Sequence, residues 1–299
     1  MKSNGPSWLA RTSGIVLLGS TLALTGATPF WGEHGHVMSG LAAATDLPAD
    51  MPAFFRDSRE RLGYLNYEPD RWRDAQMPEM NEALQYDHFI DLENVPAEAL
   101  AARDRFTYLA ILQRAGLREP QREGGLLPFR ILELHERLLV EFRLWRTTTD
   151  AETRSWIEQR IIDDAGILGH YVSDGANPHH STIHYNGWAQ GAPNPDDYTT
   201  DRTFHGRFES RFVGAKVRLG DIMPHVRPPA RIDDVRATVM AHIQTSNSLV
   251  PRLYQLEKIE PFGENTQSPQ HKTFVVERLA AGVNLLRSLW YTAWLNSAP

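Results

Sequence analysis

Apolar residues recur along much of the chain at intervals of three and four, the period of a helix with one buried face. Residues 99–116 place Leu100, Phe106, Leu109, Ala110 and Leu112 near one such face. Residues 128–146 do the same with Leu132, Leu134, Leu138, Leu139 and Phe142. Pro128 suits the first turn of that helix, where a missing N–H costs nothing. The spacing predicts further helices over 152–174, 232–256 and 271–295. The last carries a broad stripe of Phe274, Leu279, Val283, Leu286, Leu289 and Trp290, which belongs in a core. Between 175 and 203, Gly, Pro, Asn and Asp crowd together and predict loop. Strand-like alternation is scarce. The expected fold is all-α, a single multi-helix bundle domain.

One apolar stretch does not fit the bundle. Gly14 to Ala27 follows Lys2 and Arg11, the only charged side chains before residue 33. It is short for a membrane span and broken by small residues, so residues 1–30 read as a signal peptide and 31–299 as the mature domain. The chain has no cysteine. Disulfides and thiolate ligands are therefore excluded, and any metal must be held by His, Asp or Glu. A periplasmic or secreted location is expected. The net charge of −6 excludes the generally basic surface of a non-specific nucleic-acid binder.

Candidate chemistry lies in the histidines. Five of the twelve fall between residues 170 and 205, in company with Asp174 and Glu209. His170 and Asp174 are spaced i, i+4, so a helix puts both on one face and within reach of one ion. His205 and Glu209 repeat the spacing. Between the pairs, Asn177-Pro178-His179-His180 ends the first helix and turns a histidine back toward it. One such pair alone reads as a solvated surface pair; two, with a histidine-rich loop between them, read as a metal site. Mixed imidazole and carboxylate donors suit zinc better than magnesium or calcium. Upstream, Asp87-His88-Phe89-Ile90-Asp91 sets a histidine in an apolar run, and Trp31-Gly32-Glu33-His34-Gly35-His36 begins just past the signal. Cleavage directly before Trp31 would free an amine that can chelate metal together with the Trp31 carbonyl. Cleavage after Ala27 would not.

The run His170-Tyr171-Val172-Ser173-Asp174-Gly175-Ala176-Asn177-Pro178-His179-His180 resembles the central motif H-[YF]-[LIV]-G-D-x-x-Q-P-x-H. That motif belongs to the superfamily uniting bacterial zinc-dependent phospholipase C with the single-strand-specific zinc nucleases of fungi and plants. The likeness spans roughly residues 31–213. Ser173 and Asn177 depart from the motif's Gly and Gln, and neither is a ligand in the family. The resemblance implies a bundle of the phospholipase C and zinc nuclease type holding three zinc ions. It assigns His88, His170, Asp174 and one upstream aspartate to the first. His180, His205 and Glu209 would hold the second, and Trp31, His36 and a bridging Asp174 the third. The upstream aspartate is Asp70, in a segment resembling the family's D-x-x-R piece, with Asp74 as the alternative. A capping role for Asp70 after Pro69 is the plain structural reading. His34, His179 and His184 are expected to support ligands or lie at the surface, and His135, His225, His242 and His271 to be structural or solvated.

The function implied is hydrolysis of a phosphodiester by water attacking phosphorus, with Asp70 orienting the water and accepting its proton, and Arg73 pairing with a phosphoryl oxygen. The substrate is a phospholipid head group or single-stranded nucleic acid, with transient contact to a membrane surface in the first case. The spacing from Trp31 to His36 resembles the nucleases, whereas Glu209 resembles the phospholipases. The nucleases' Asn-Leu-His-x-x-Trp-Asp piece and their cysteines are absent. A phospholipase C-like activity is the expectation, and a nuclease or 3′-nucleotidase the alternative. A zinc-binding protein without catalysis is the alternative of another class. Phe89 is expected either to stack on a base or to pack in the core. Tyr185 and Trp188 either line the pocket or pack down.

Overall fold

The computed structural model describes residues 32–299. The expected signal peptide over 1–30 and Trp31 lie outside the described residues. Seven helices carry the architecture: α1 (Gly32–Ala43), α2 (Arg59–Leu65), α3 (Leu127–Thr147), α4 (Ala151–Ala176), α5 (Val235–Ser248), α6 (Val250–Ile259) and α7 (Pro269–Asn296). Short helical turns and irregular segments join them. Among the described residues there is no strand, only two isolated bridges, so the all-α expectation holds. No helix among them is long and apolar enough to cross a membrane.

α4 is the axis. Asp150 caps its start, accepting from the Thr153 N–H at 2.8 Å. With 26 residues it runs for roughly 40 Å. Its first turns are partly solvated. From Leu168 to Ala176 every residue is buried, because α1, α2, α3, α5 and α7 pack around it. A helix enclosed on all sides should be apolar all round. Here His170, Ser173 and Asp174 interrupt that rule at the centre of the molecule.

α7 supplies the opposite wall. Leu279, Val283, Leu286, Leu289 and Trp290 are buried, and the Trp290 indole N–H reaches the Ala165 carbonyl of α4 at 3.1 Å. A segment preceding α5 is strapped along α7. The backbone N–H groups of Arg227, Ala230 and Ile232 donate to the side-chain oxygens of Asn284, Ser288 and Thr292, at 2.8, 3.3 and 2.9 Å.

Two expected helices are divided. The run 99–116 breaks into Ala97–Leu100 and Arg105–Arg114, because the Asp104 carboxylate accepts the Phe106 and Thr107 N–H groups and starts a new helix. Phe106, placed by periodicity on the apolar face, is 77% exposed. The run 232–256 breaks at Leu249, since Pro251 cannot donate to the carbonyl four residues before it. The expected loop 175–203 is shorter: α4 extends to Ala176, Pro178–Ser181 forms a 3-10 turn, and the rest to 203 is without helix.

Candidate metal centre

The buried polar residues of α4 meet donors from five other segments. His170 and Asp174 share a face one turn apart, with Nε2 at 3.2 Å from Oδ2. His88 ends the 3-10 turn Gln85–His88 and sets Nδ1 3.1 Å from the same oxygen. α1 brings His36 Nε2 to 3.5 Å from Asp174 Oδ1. The one-turn helix Glu68–Arg71 brings Asp70, whose oxygens lie about 4 Å from ring nitrogens of His36, His88 and His170. Pro178–Ser181 turns His180 inward, its Nε2 3.1 Å from Glu209 Oε1. His205 Nε2 approaches that oxygen to 2.7 Å.

Three compact groups result: His36 with His170 and Asp174; Asp70 with His88 and His170; His180 with His205 and Glu209. Each could hold a metal ion. All eight side chains assigned within 32–299 therefore come together. Trp31 lies outside the described residues. The Asp70 alternatives also separate. Asp74 is exposed and accepts the Gln76 N–H, and Asp70 makes no capping hydrogen bond.

The histidines are aimed by hydrogen bonds on their far nitrogens. His170 Nδ1 donates to the Asn66 carbonyl (2.8 Å), and His180 Nδ1 to the His88 carbonyl (2.6 Å). Their Nε2 lone pairs consequently face the carboxylates, the usual support of a metal-binding imidazole. Burial holds His170 near 4 and His205 near 3, and burial with neighbouring histidines holds His36 and His88 well below the ordinary value. The rings are neutral and able to ligate.

The carboxyls are perturbed the other way. Burial raises Asp70 to about 6, against an opposing pull from His170. Burial raises Asp174 to about 7, opposed by His180 and Arg73, and Glu209 to about 8, opposed by its bond to His180. Asp174 Oδ1 and Glu209 Oε2 have no hydrogen-bond partner, and Asp70 has only the long ion pair to Arg73 at 3.6 Å. Buried carboxylate oxygens are normally paired, because desolvated charge is costly. Divalent cations in the three groups would satisfy them, and the mixed nitrogen and oxygen donors fit zinc.

Arg73 Nη1 stands 3.6 Å from Asp70 Oδ1 and lines a cavity of about 390 Å³. His180 and His205 line it too, together with Tyr86, Phe89, Asp91 and Tyr185. Phe89 thus lines the cavity as well as packing against the core. Trp188 instead packs down, stacked on His184 at 3.7 Å. His179 is buried and stacks on His205 at 4.6 Å, and His34 Nε2 donates to the Val217 carbonyl at 3.1 Å. His179 thus packs on a candidate ligand and His34 is exposed, whereas His184 is buried against Trp188 and Tyr254 rather than against a ligand. Of the remaining four, His135, His242 and His271 are enclosed and His225 is exposed.

The segment carrying Glu209 is unusual. His205 lies in the short turn Phe204–Gly206, which runs into a π-helix over Arg207–Phe212. Such widened turns are rare and concentrate at functional sites.

Two supporting residues escaped the sequence reading. Asn177, a departure expected to be neutral, donates its amide to Glu209 Oε1 and accepts the His179 N–H at 3.1 Å. Its place in the central motif was the available signal. Asn66 contacts two ligands and lies in no motif; nothing in its sequence surroundings marks it. Compared with family models, curated proteins and solved structures, the chain matches none.

Proposed function

We propose that the chain is an exported phosphodiester hydrolase, phospholipase C-like, of the zinc phospholipase and nuclease type. The observation that carries this reading is the convergence of eight separated His, Asp and Glu side chains on one buried cluster beside Arg73. Asp70, His88, His170 and Asp174 would hold one zinc ion, His180, His205 and Glu209 a second, and His36 and Asp174 with Trp31 a third. When bound, zinc supplies Lewis acidity, favouring ionised water near neutral pH and offsetting phosphoryl charge.

The side chains supply the rest. Arg73 offers a planar fork to two phosphoryl oxygens. It lines the cavity and is 24% exposed, so it can meet substrate arriving from solvent. Asp70 orients the attacking water and takes its proton on a carboxylate oxygen. The new P–O bond forms as the ester P–O bond breaks, and the leaving oxygen takes up a proton. Tyr86, Phe89 and Tyr185 give the departing group an aromatic wall.

Phe89 in the cavity wall favours a second reading, in which a base of single-stranded nucleic acid stacks there. The test is zinc content together with hydrolysis of bis-p-nitrophenyl phosphate, then phosphatidylcholine in vesicles and single-stranded DNA in parallel. His170→Ala and Asp174→Ala are expected to lose zinc and turnover together, with rate losses of at least a hundredfold, roughly the scale at which ligand support operates. Unchanged turnover in either variant refutes the assignment. Zinc without turnover in the wild type favours a non-catalytic zinc-binding protein.

A further inference from the structure

Asn66 lies at the end of α2, where its N–H still donates to the Leu62 carbonyl at 3.2 Å, and it is fully buried. It meets two ligands by two different groups. Its backbone carbonyl accepts from His170 Nδ1 at 2.8 Å, and its side-chain Oδ1 accepts from His36 Nδ1 at 3.2 Å. The two rings come from α4 and α1 and stack with centroids 4.0 Å apart and planes at 16°. A carbonyl can only accept, so each Nδ1 carries the hydrogen and each Nε2 keeps its lone pair. Both lone pairs are directed at Asp174, from 3.2 Å on one oxygen and 3.5 Å on the other.

The helices are shaped around this residue. A Cβ placed on Gly169 would lie 2.3 Å from Asn66 Nδ2. One on Gly40 would lie 2.8 Å from Gly63 Cα and 3.1 Å from Asn66 Cβ. α1, α2 and α4 therefore close on the amide from three sides and leave it one seat. In that seat Nδ2 has no hydrogen-bond partner. An unsatisfied buried amide weakens a fold, and a leucine of similar volume would not carry that penalty. The asparagine is better explained by what its oxygen does than by what its bulk fills.

Resting on the cation-centre reading, we propose that Asn66 is a positioning residue: it fixes the tautomer and ring direction of two candidate ligands, one from α1 and one from α4. The side chain governs His36, and the backbone governs His170. Substitution therefore separates them. Asn66→Leu removes the acceptor for His36 alone, while Asn66→Asp keeps one.

Long-range proton–nitrogen NMR on the metal-free full chain reads the tautomers directly. In the wild type both His36 and His170 should carry hydrogen on Nδ1. In Asn66→Leu, His36 should lose that preference and His170 retain it, and Asn66→Asp should restore it. Competition titration with zinc should show one ion weakened by roughly 10- to 100-fold in Asn66→Leu, with wild-type affinity for the others and rescue in Asn66→Asp. A wild-type His36 protonated on Nε2 overturns the proposal, and that spectrum needs no variant to fold. Wild-type zinc affinity at every position in a folded Asn66→Leu also overturns it. Failure of the wild type to bind zinc with both tautomers as stated would instead remove the cation reading and leave the orienting role standing.

Discussion

Asp174 and Glu209 each meet more than one ring nitrogen, and burial raises them to about 7 and about 8, so both are partly or largely protonated at neutral pH. A cation must displace those protons to bind. Zinc uptake at pH 7 is therefore expected to release protons, and less so at pH 9, as calorimetric titration in two buffers of different ionisation enthalpy will measure. Zinc binding without proton release would contradict the raised values. The same shift sets a sign for stability. Both folded values, about 7 and about 8, lie above the ordinary 3.8 and 4.5, so the metal-free fold holds more protons than the unfolded chain and weakens as pH rises through them. The buried histidines have lowered values, as His170 at about 4 shows, and they strengthen the fold as pH rises toward about 6.5. Above that only the carboxyl effect remains. At this scale the i, i+4 pairs were legible, since helical geometry alone puts their members together. Asn66 was not, because half of its role belongs to a backbone carbonyl that every residue type possesses.

For elements, hydrophobic period predicted the long helices well and their interruptions poorly. Asp104 and Pro251 each act through one hydrogen bond made or forbidden, which a stripe of apolar residues does not register. The strap on α7 was equally hidden. Asn284, Ser288 and Thr292 recur every four residues and look like a solvated edge, yet each receives an N–H from the chain lying over it. Thr292 is fully buried. Thr292→Val keeps its shape and strands the Ile232 N–H, so a loss of about 1–3 kcal/mol is expected in urea unfolding, with hydrolysis at a saturating zinc level unchanged. A stability equal to wild type would show that the strap contributes nothing there.

Over the whole molecule, the bundle was readable from pattern, whereas convergence of the donors was not. They run from residue 36 to residue 209, and their meeting depends on how α1, α2 and α4 pack. Only the motif likeness pointed to it. Ions bound across so much chain would favour the native state alone: one site at a hundredfold excess over its Kd would contribute about 2.7 kcal/mol. Chelation with EDTA is expected to lower the calorimetric Tm by roughly 5–10 °C, and an unmoved Tm would argue against resident ions. The wide turn over Arg207–Phe212 serves two parts of the molecule at once. Glu209 faces His180 and His205, while Phe208 and Phe212 meet Phe262 from the far side, at 5.0 and 5.1 Å. A π-turn is an ordinary helix with one residue to spare. Excising one of these six would return the stretch to ordinary helical pitch, and the carboxylate and the aromatic pair would lose their present angle to one another. Length in this stretch is thus as constrained as residue identity.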